Sequence, residues 1–150
     1  MKCLVVDDDP VTCETVDSFL QRIGEVDYCL KVNEGTTALH LLAAERFDAL
    51  FLDLELPGMD GVSLLKALPE GLPVVVVSAS PNFGAESYAF DVVDYLVKPL
   101  EFERFARAIV KLKQRRGAEV GKAPARTSDD VLFLREGNTI QRVDLRRLVY

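Results

Sequence analysis

The sequence predicts an α/β fold, in which a doubly wound parallel sheet is covered by helices on both faces. Short apolar runs without polar alternation are typical of strands that are buried on both faces, as parallel strands are. Segments with a helical apolar period separate these runs in regular alternation along the chain. The four clearest runs are residues 4–6, 49–52, 74–77 and 95–97.

The first helix is predicted directly after the first apolar run. Asp9 has the side chain of a good N-cap, Pro10 suits the first helical position, and Gly24 suits the end of the helix. Residues 26–32 then form the second predicted strand. The apolar stripe of the helix consists of Val16, Phe19, Leu20 and Ile23.

The middle of the chain continues this alternation. Residues 36–46 are predicted as the second helix, with Leu39, Leu42 and Ala43 facing the core. After the third strand, residues 56–61 carry proline and glycine at the spacing of a tight loop, and a short helix follows.

The last two units complete five β–α alternations with short loops. Pro73 opens the fourth strand, and a weaker helix then reaches about Phe90. Asn82 and Gly84 make this helix the least favourable one, because both are poor helix formers. The final helix has the clearest apolar stripe, formed by Phe102, Phe105, Ile109 and Leu112.

The C-terminal part of the chain differs from what precedes it. We expect a first domain over residues 1–113, a linker over 114–128, and a β-hairpin over 129–150 with its turn at Glu136-Gly137-Asn138. An isolated hairpin is at best marginally stable. This segment therefore either begins a second domain or docks on the first one.

Composition limits the class of protein. The 150 residues carry a net charge of −6, divided into −11 over residues 1–110 and +5 over residues 111–150. The acidic part is not expected to bind nucleic acid, because phosphate neutralisation dominates that affinity, whereas the basic part has the charge to do so. We expect a cytoplasmic protein, because we find neither a signal peptide nor an apolar stretch of about 20 residues.

Four of the predicted strands end in residues that carry chemistry. Asp7 and Asp8 follow the first strand, Asp53 the third, Ser78 the fourth and Lys98 the fifth. Because ligands of open parallel sheets bind beyond the carboxyl ends of the strands, these side chains are expected to converge at one edge. Each residue taken alone is more often a cap or a solvated turn residue, and their combination favours a functional site.

The residue types at this edge indicate phosphoryl chemistry. Neighbouring carboxylates repel one another unless a cation is present, and hard oxygen ligands suit Mg²⁺. Asp53 is the candidate nucleophile, since carboxylates form aspartyl-phosphate intermediates. Ser78 and Lys98 offer a hydroxyl and a positive charge to the phosphoryl oxygens.

In these residues the sequence resembles the receiver domain of two-component response regulators (CheY-like) over residues 1 to about 113. The resemblance implies a five-stranded, flavodoxin-like sheet with strand order 2-1-3-4-5. The matching segments are Leu4-Val5-Val6-Asp7-Asp8-Asp9-Pro10, Leu52-Asp53-Leu54-Glu55-Leu56-Pro57-Gly58-Met59-Asp60-Gly61, Val77-Ser78-Ala79 and Asp94-Tyr95-Leu96-Val97-Lys98-Pro99.

The resemblance also implies a mechanism and a set of roles. Asp53 would accept a phosphoryl group from the phosphohistidine of a sensor histidine kinase, with Lys98 pairing with the phosphate after a cis Lys98-Pro99 peptide bond. Asp8, Asp53 and the backbone carbonyl of Glu55 would ligate Mg²⁺ directly, and Asp7 would act largely through water. Ser78 and Tyr95 match the switch pair. Such a domain is a phosphorylation switch and not an enzyme with its own substrate.

The segment 129–150 resembles the opening strands of a LytTR-type DNA-binding domain, of which only the beginning is present. The implied output is homodimerisation on phosphorylation, with DNA bound only through a full C-terminal domain. Two other functions remain as alternatives, a pseudo-receiver that serves protein interaction alone and an aspartyl-phosphate phosphohydrolase. His40, the single histidine, is expected on a helix surface.

Overall fold

The computed structural model describes residues 1–24, 26–80 and 90–127, with side chains described as far as Arg116. Each described helix follows a strand, and the strand before α3 is the short β5. The elements are β1 (Lys2–Val6), α1 (Pro10–Ile23), β2 (Tyr28–Val32), α2 (Gly35–Ala44), β3 (Ala49–Leu52), β4 (Glu55–Leu56), β5 (Met59–Asp60), α3 (Gly61–Ala67), β6 (Val74–Ser78), β7 (Asp94–Val97) and α4 (Phe102–Thr127).

The main sheet has five parallel strands in the order β2-β1-β3-β6-β7. This confirms the predicted order 2-1-3-4-5, because β4 and β5 form a separate antiparallel pair inside the predicted tight loop. Every residue of β3 and β6 is buried, which explains why these strands lack polar alternation. Strand order reverses between β1 and β3, and the carboxyl ends of these two strands therefore lie beside the switch point of the sheet.

The caps of α1 agree with the sequence prediction. The Asp9 side chain accepts a hydrogen bond from the backbone N–H of Val11, and Pro10 occupies the first turn. Gly24 ends the helix with φ of 82°, a left-handed conformation that favours glycine. The hydrogen bond from the Val11 N–H to Asp9 holds the loop between β1 and α1 beside the end of the strand.

Several predicted details differ in the structure. Strand β2 begins at Tyr28 and not at residue 26. On α2 the buried face contains Ala38 and Leu42, whereas Ala43 is exposed. The prediction for Ala43 was wrong because the buried stripe of α2 runs through Gly35, Ala38 and Leu42, and Ala43 lies about 100° around the helix from Leu42.

Residues Met1–Ala108 form one compact unit, and a second unit begins at Ile109. The first unit contains the five strands of the main sheet and a buried apolar cluster that includes Leu4, Leu50 and Leu64. Helix α4 continues to Thr127, into the segment predicted as a linker, so the backbone there is helical, and the role of this segment as a linker stays a prediction. The weak helix predicted before Phe90 falls mainly on residues 81–89, and the hairpin over 129–150; both lie outside the described residues.

Candidate functional site

The carboxyl ends of the parallel strands bring the predicted residues to one edge of the sheet. The backbone N–H of Asp53 donates to the carbonyl of Val6 at 2.9 Å, which fixes the ends of β3 and β1 side by side. In the same way the N–H of Lys98 donates to the carbonyl of Ser78 at 2.8 Å, linking the ends of β7 and β6. The spacing of the site is therefore set by backbone hydrogen bonds that continue the sheet.

Two buried carboxylates face one ammonium group at this edge. The Lys98 Nζ lies 2.9 Å from Asp7 Oδ2 and 3.2 Å from Asp53 Oδ2. The side chains of Asp7 and Asp53 are only 2% and 3% exposed. Lys98 follows β7 directly and precedes Pro99 across a cis peptide bond. One positive charge thus partly compensates two carboxylates that water barely reaches.

The two aspartates are oriented in the same way. Asp7 Oδ1 accepts from the N–H of Asp9 at 2.8 Å, and Asp53 Oδ1 accepts from the N–H of Glu55 at 2.9 Å. In both cases an aspartate bonds to the backbone two residues further on, as is typical of its turn chemistry. This leaves the Oδ2 atoms of both side chains directed to Lys98.

The electrostatics of the site follow from burial. Burial raises the pKa of Asp7, and repulsion from Asp53 acts in the same direction, against the opposing effects of the Asp9 N–H and Lys98. For Lys98, burial by itself lowers the pKa, but the contacts with Asp7 and Asp53 together outweigh it and raise the pKa. The ammonium therefore stays charged, and the carboxylate pair holds excess negative charge.

The residues present fit a divalent cation of the Mg²⁺ type. Asp7, Asp8 and Asp53 each offer a carboxylate oxygen, and these atoms lie within 4.8 Å of one another, with Asp8 exposed and the other two buried. The buried Asp7 Oδ2 has its ion pair with Lys98, but no described group donates a hydrogen bond of good geometry to it. A buried oxygen of this kind, beside an exposed carboxylate, suits an ion that keeps several of its waters.

A hydroxyl group lies at the end of the neighbouring strand. Ser78 is fully buried, and its Oγ donates to Glu55 Oε1 at 3.4 Å. The same Oγ accepts from the backbone N–H of Ser80 at 3.2 Å. The sequence predicted Ser78 at this edge, but it gave no signal that the Glu55 side chain would contact it, since 23 residues separate the two.

The aromatic residue of the predicted switch pair is held from two sides. The Tyr95 hydroxyl donates to the carbonyl of Ser80, which ties β7 to the segment after β6. Arg104 on α4 forms a bidentate pair with Asp94, both contacts at 2.8 Å, and also donates to the Tyr95 carbonyl at 3.2 Å. Sequence reasoning missed Arg104. The one feature of the sequence that could have drawn attention to Arg104 is that it lies off the apolar stripe of the helix.

The single histidine and the three cysteines all lie among the described residues. His40 is exposed on α2. Cys3, Cys13 and Cys29 form no disulfide bond, and burial raises the pKa of the Cys13 thiol to about 11 and that of Cys29 to about 12. The thiols of Cys13 and Cys29 are therefore protonated at neutral pH, as is typical of structural cysteines. None of the described helices has the length and apolarity needed to cross a membrane.

Comparison with known proteins gives a family match over most of the chain. The family model described as the response regulator receiver domain matches residues 3–110. The transcriptional regulatory protein MalR of Bacillus subtilis (strain 168) is 34% identical over 111 residues, which make up 71% of this chain and 47% of that protein. The sensory transduction protein LytR of Staphylococcus saprophyticus is 28% identical over 120 residues, or 78% of this chain and 47% of that protein.

The chain thus spans about half the length of these curated relatives. Among solved structures, it is similar to the response regulator protein TrrA of Thermotoga maritima in complex with Mg²⁺-BeF. The identity is 26% and the TM-score 0.66, and the match covers 75% of this chain and 99% of that chain.

Proposed function

The chain belongs to the response regulator receiver domain family, and we propose that it is the phosphoacceptor switch of a two-component system with Asp53 as the acceptor. Domains of this family act as switches that accept a phosphoryl group and that interact with histidine kinases. The observation that carries the proposal is the position of the Lys98 ammonium between the buried carboxylates of Asp7 and Asp53. Burying two carboxylates beside a single ammonium group costs folding stability. A role in phosphoryl transfer is a functional reason for keeping this arrangement.

The proposed reaction is a single phosphoryl transfer. A carboxylate oxygen of Asp53 attacks the phosphorus of a phosphohistidine; the new P–O bond forms as the P–N bond breaks. The electron pair of that bond returns to the imidazole, which takes up a proton from solvent. Lys98 supports the transfer, because its ammonium already points at Asp53 Oδ2 and can pair with the phosphoryl oxygens.

Asp8 and Asp53, together with the backbone carbonyl of Glu55, are the proposed ligands of Mg²⁺, and Asp7 would act largely through water. The bound ion would supply positive charge that neutralises the phosphoryl oxygens. Asp7 accepts a hydrogen bond from the Asp9 N–H through one oxygen and keeps its second oxygen toward the site. The Glu55 N–H holds Asp53 Oδ1 in a fixed direction.

The proposed switch consists of Ser78 and Tyr95. A phosphoryl group on Asp53 adds charge and acceptor oxygens, which would draw the Ser78 hydroxyl toward it. The Tyr95 hydroxyl donates a hydrogen bond to the carbonyl of Ser80, two residues after Ser78. A movement of the backbone between Ser78 and Ser80 would therefore move or break this hydrogen bond of Tyr95. Arg104 anchors the backbone of the same strand through Asp94 and the Tyr95 carbonyl.

The proposed output is homodimerisation that brings two C-terminal domains of the LytTR type together on DNA. Support comes from the names of relatives, one called a transcriptional regulatory protein and another a sensory transduction protein LytR. The basic balance of residues 111–150 agrees with such an output. Because the match spans about half of those proteins, the output belongs to the proposal.

Intact-mass spectrometry after incubation with Mg²⁺ and acetyl phosphate tests the proposal. We expect one added phosphoryl group on the wild type and none on Asp53→Asn, in which the amide cannot form an acyl phosphate. Chelation of Mg²⁺ should abolish the adduct. An adduct that persists in Asp53→Asn would refute the acceptor, and steady consumption of a phosphomonoester without an adduct would favour a phosphohydrolase.

A further inference from the structure

The side chain of Glu55 has no part in the function proposed above, which uses only its backbone. Glu55 lies in β4, two residues beyond Asp53, and it is exposed at the mouth of the site. Its Oε1 nevertheless accepts a hydrogen bond from the Oγ of Ser78, which is fully buried. The hydroxyl at the end of β6 is thus directed to a carboxylate other than the proposed acceptor.

The hydroxyl of Ser78 has one hydrogen-bond partner on its donor side and one on its acceptor side. A serine hydroxyl has one proton to donate and can accept at its lone pairs. The Ser80 N–H donates to Ser78 Oγ at 3.2 Å, so the oxygen acts there as an acceptor. Its single proton is directed to Glu55 at 3.4 Å. The hydroxyl can donate to a phosphoryl oxygen on Asp53 only if it first gives up Glu55.

We propose that Glu55 is a positioning residue that holds the Ser78 hydroxyl in the unphosphorylated arrangement and so opposes the switched state. The inference rests on the proposed function and names a regulator of that same site. Two effects act in the same direction. The carboxylate competes with the phosphoryl oxygens for the proton of Ser78, and its charge repels a phosphoryl group of nearly −2.

A titration with beryllofluoride, an anion that mimics the phosphoryl group, tests the inference. Isothermal calorimetry at saturating Mg²⁺ is carried out on the wild type and on Glu55→Ala, Glu55→Gln and Glu70→Gln. We expect Glu55→Ala to bind about 5-fold more tightly, since a net hydrogen bond of this kind is small. Glu55→Gln falls between the two, because its amide oxygen still accepts the proton while the charge is lost.

Glu70→Gln is the matched control. It removes the same charge from an exposed glutamate in the turn before β6, at the opposite end of the strands from the site. We expect it to bind beryllofluoride with the affinity of the wild type. A gain in Glu70→Gln as large as in Glu55→Ala would show a general effect of net charge and would overturn the inference.

A second background tests whether Glu55 acts through Ser78. Ser78→Ala lacks the hydroxyl proton that Glu55 accepts. Adding Glu55→Ala to this variant should therefore raise the affinity for beryllofluoride by less than half as much as it does in the wild type. A full gain in this background would overturn the positioning role. Wild type that does not bind beryllofluoride would contradict the proposed function and the inference together. Wild type that binds while Glu55→Ala binds no more tightly would remove the inference alone.

Discussion

The two ends of the parallel strands carry ion pairs of similar length in opposite surroundings. At the amino ends, Lys2 Nζ lies 2.7 Å from Glu45 Oε1, and about a third of each side chain is exposed. At the carboxyl ends, Lys98 Nζ lies 2.9 Å from Asp7 Oδ2, in a carboxylate that is 2% exposed. Distance alone would rank the two contacts as equivalent.

Burial separates them. An exposed pair gains little, because water already solvates both charges and screens their attraction. A buried pair loses that solvation, and the attraction returns only part of it, so apolar residues in its place are often as stable. The amino ends therefore carry ordinary surface charge, whereas the carboxyl ends keep a costly arrangement that fold stability does not explain. The proposed phosphoryl chemistry explains it.

The largest effect is expected from Lys98→Met. The substitution keeps the apolar stem and leaves the carboxylates of Asp7 and Asp53 without their shared cation. We expect a loss of about 3 kcal/mol in the free energy of unfolding, the lower end for a broken buried pair, because Lys98 is partly exposed and the carboxylates can take up a proton. Urea unfolding in the presence of a chelator measures it. A loss below about 1 kcal/mol would mean that the site is effectively solvated.

A smaller effect of opposite sign is expected from Asp7→Asn. Burial first, and repulsion from Asp53, raise the pKa of Asp7 above its ordinary 3.8. As the pH rises above 3.8, Asp7 ionises in the unfolded chain at a lower pH than in the folded protein. The Asp7 carboxyl therefore lowers the free energy of unfolding at neutral pH. Asparagine removes this cost, and we expect a gain in the free energy of unfolding at pH 7 without Mg²⁺ that is smaller than the loss in Lys98→Met.

The pH dependence identifies the cause. The difference between Asp7→Asn and the wild type should be near zero below the ordinary pKa of Asp7, where the carboxyl is neutral in both states. It should grow with pH and then level off. Chemical unfolding at a series of pH values measures this profile. A variant that is less stable than the wild type at pH 7 would contradict the assigned electrostatics.

The smallest effect is expected from Lys2→Met at the amino ends. This change matches Lys98→Met in chemistry, and it removes an exposed pair with Glu45 and a cation–π contact 4.9 Å from the centre of the Phe47 ring. We expect a loss of about 0.5 kcal/mol in urea unfolding. A loss as large as that of Lys98→Met would remove the distinction between the two ends.

The strands could be predicted because a strand that is buried on both faces appears in the sequence as a short apolar run without polar alternation. Four apolar runs end in residues with chemistry, and the geometry of parallel sheets is enough to place Asp7, Asp53 and Lys98 at one edge. The start of β2 was harder to predict, because this edge strand is only partly buried and its apolar pattern is weaker.

Contacts between distant side chains could not be predicted in this way. The bonds from Ser78 to Glu55 and from Arg104 to Asp94 join different elements, and no periodicity relates their positions. One inward residue of α2 was also misplaced, since alanines lie on both sides of Leu42 and a small apolar residue occurs on either face of a helix; Ala38 is buried and Ala43 is exposed. Local patterns identify elements, whereas the contacts depend on how the elements pack.

The most direct test of the central claim is to locate the modified residue. The protein is incubated with Mg²⁺ and acetyl phosphate, any acyl phosphate is reduced with borohydride, which converts the acceptor aspartate to homoserine, and the peptides are sequenced by mass spectrometry. We predict homoserine at position 53 alone, with Asp7 and Asp8 unchanged. Homoserine at either of those positions, or a phosphorylated protein without homoserine at position 53, would contradict the assignment of Asp53 as the acceptor.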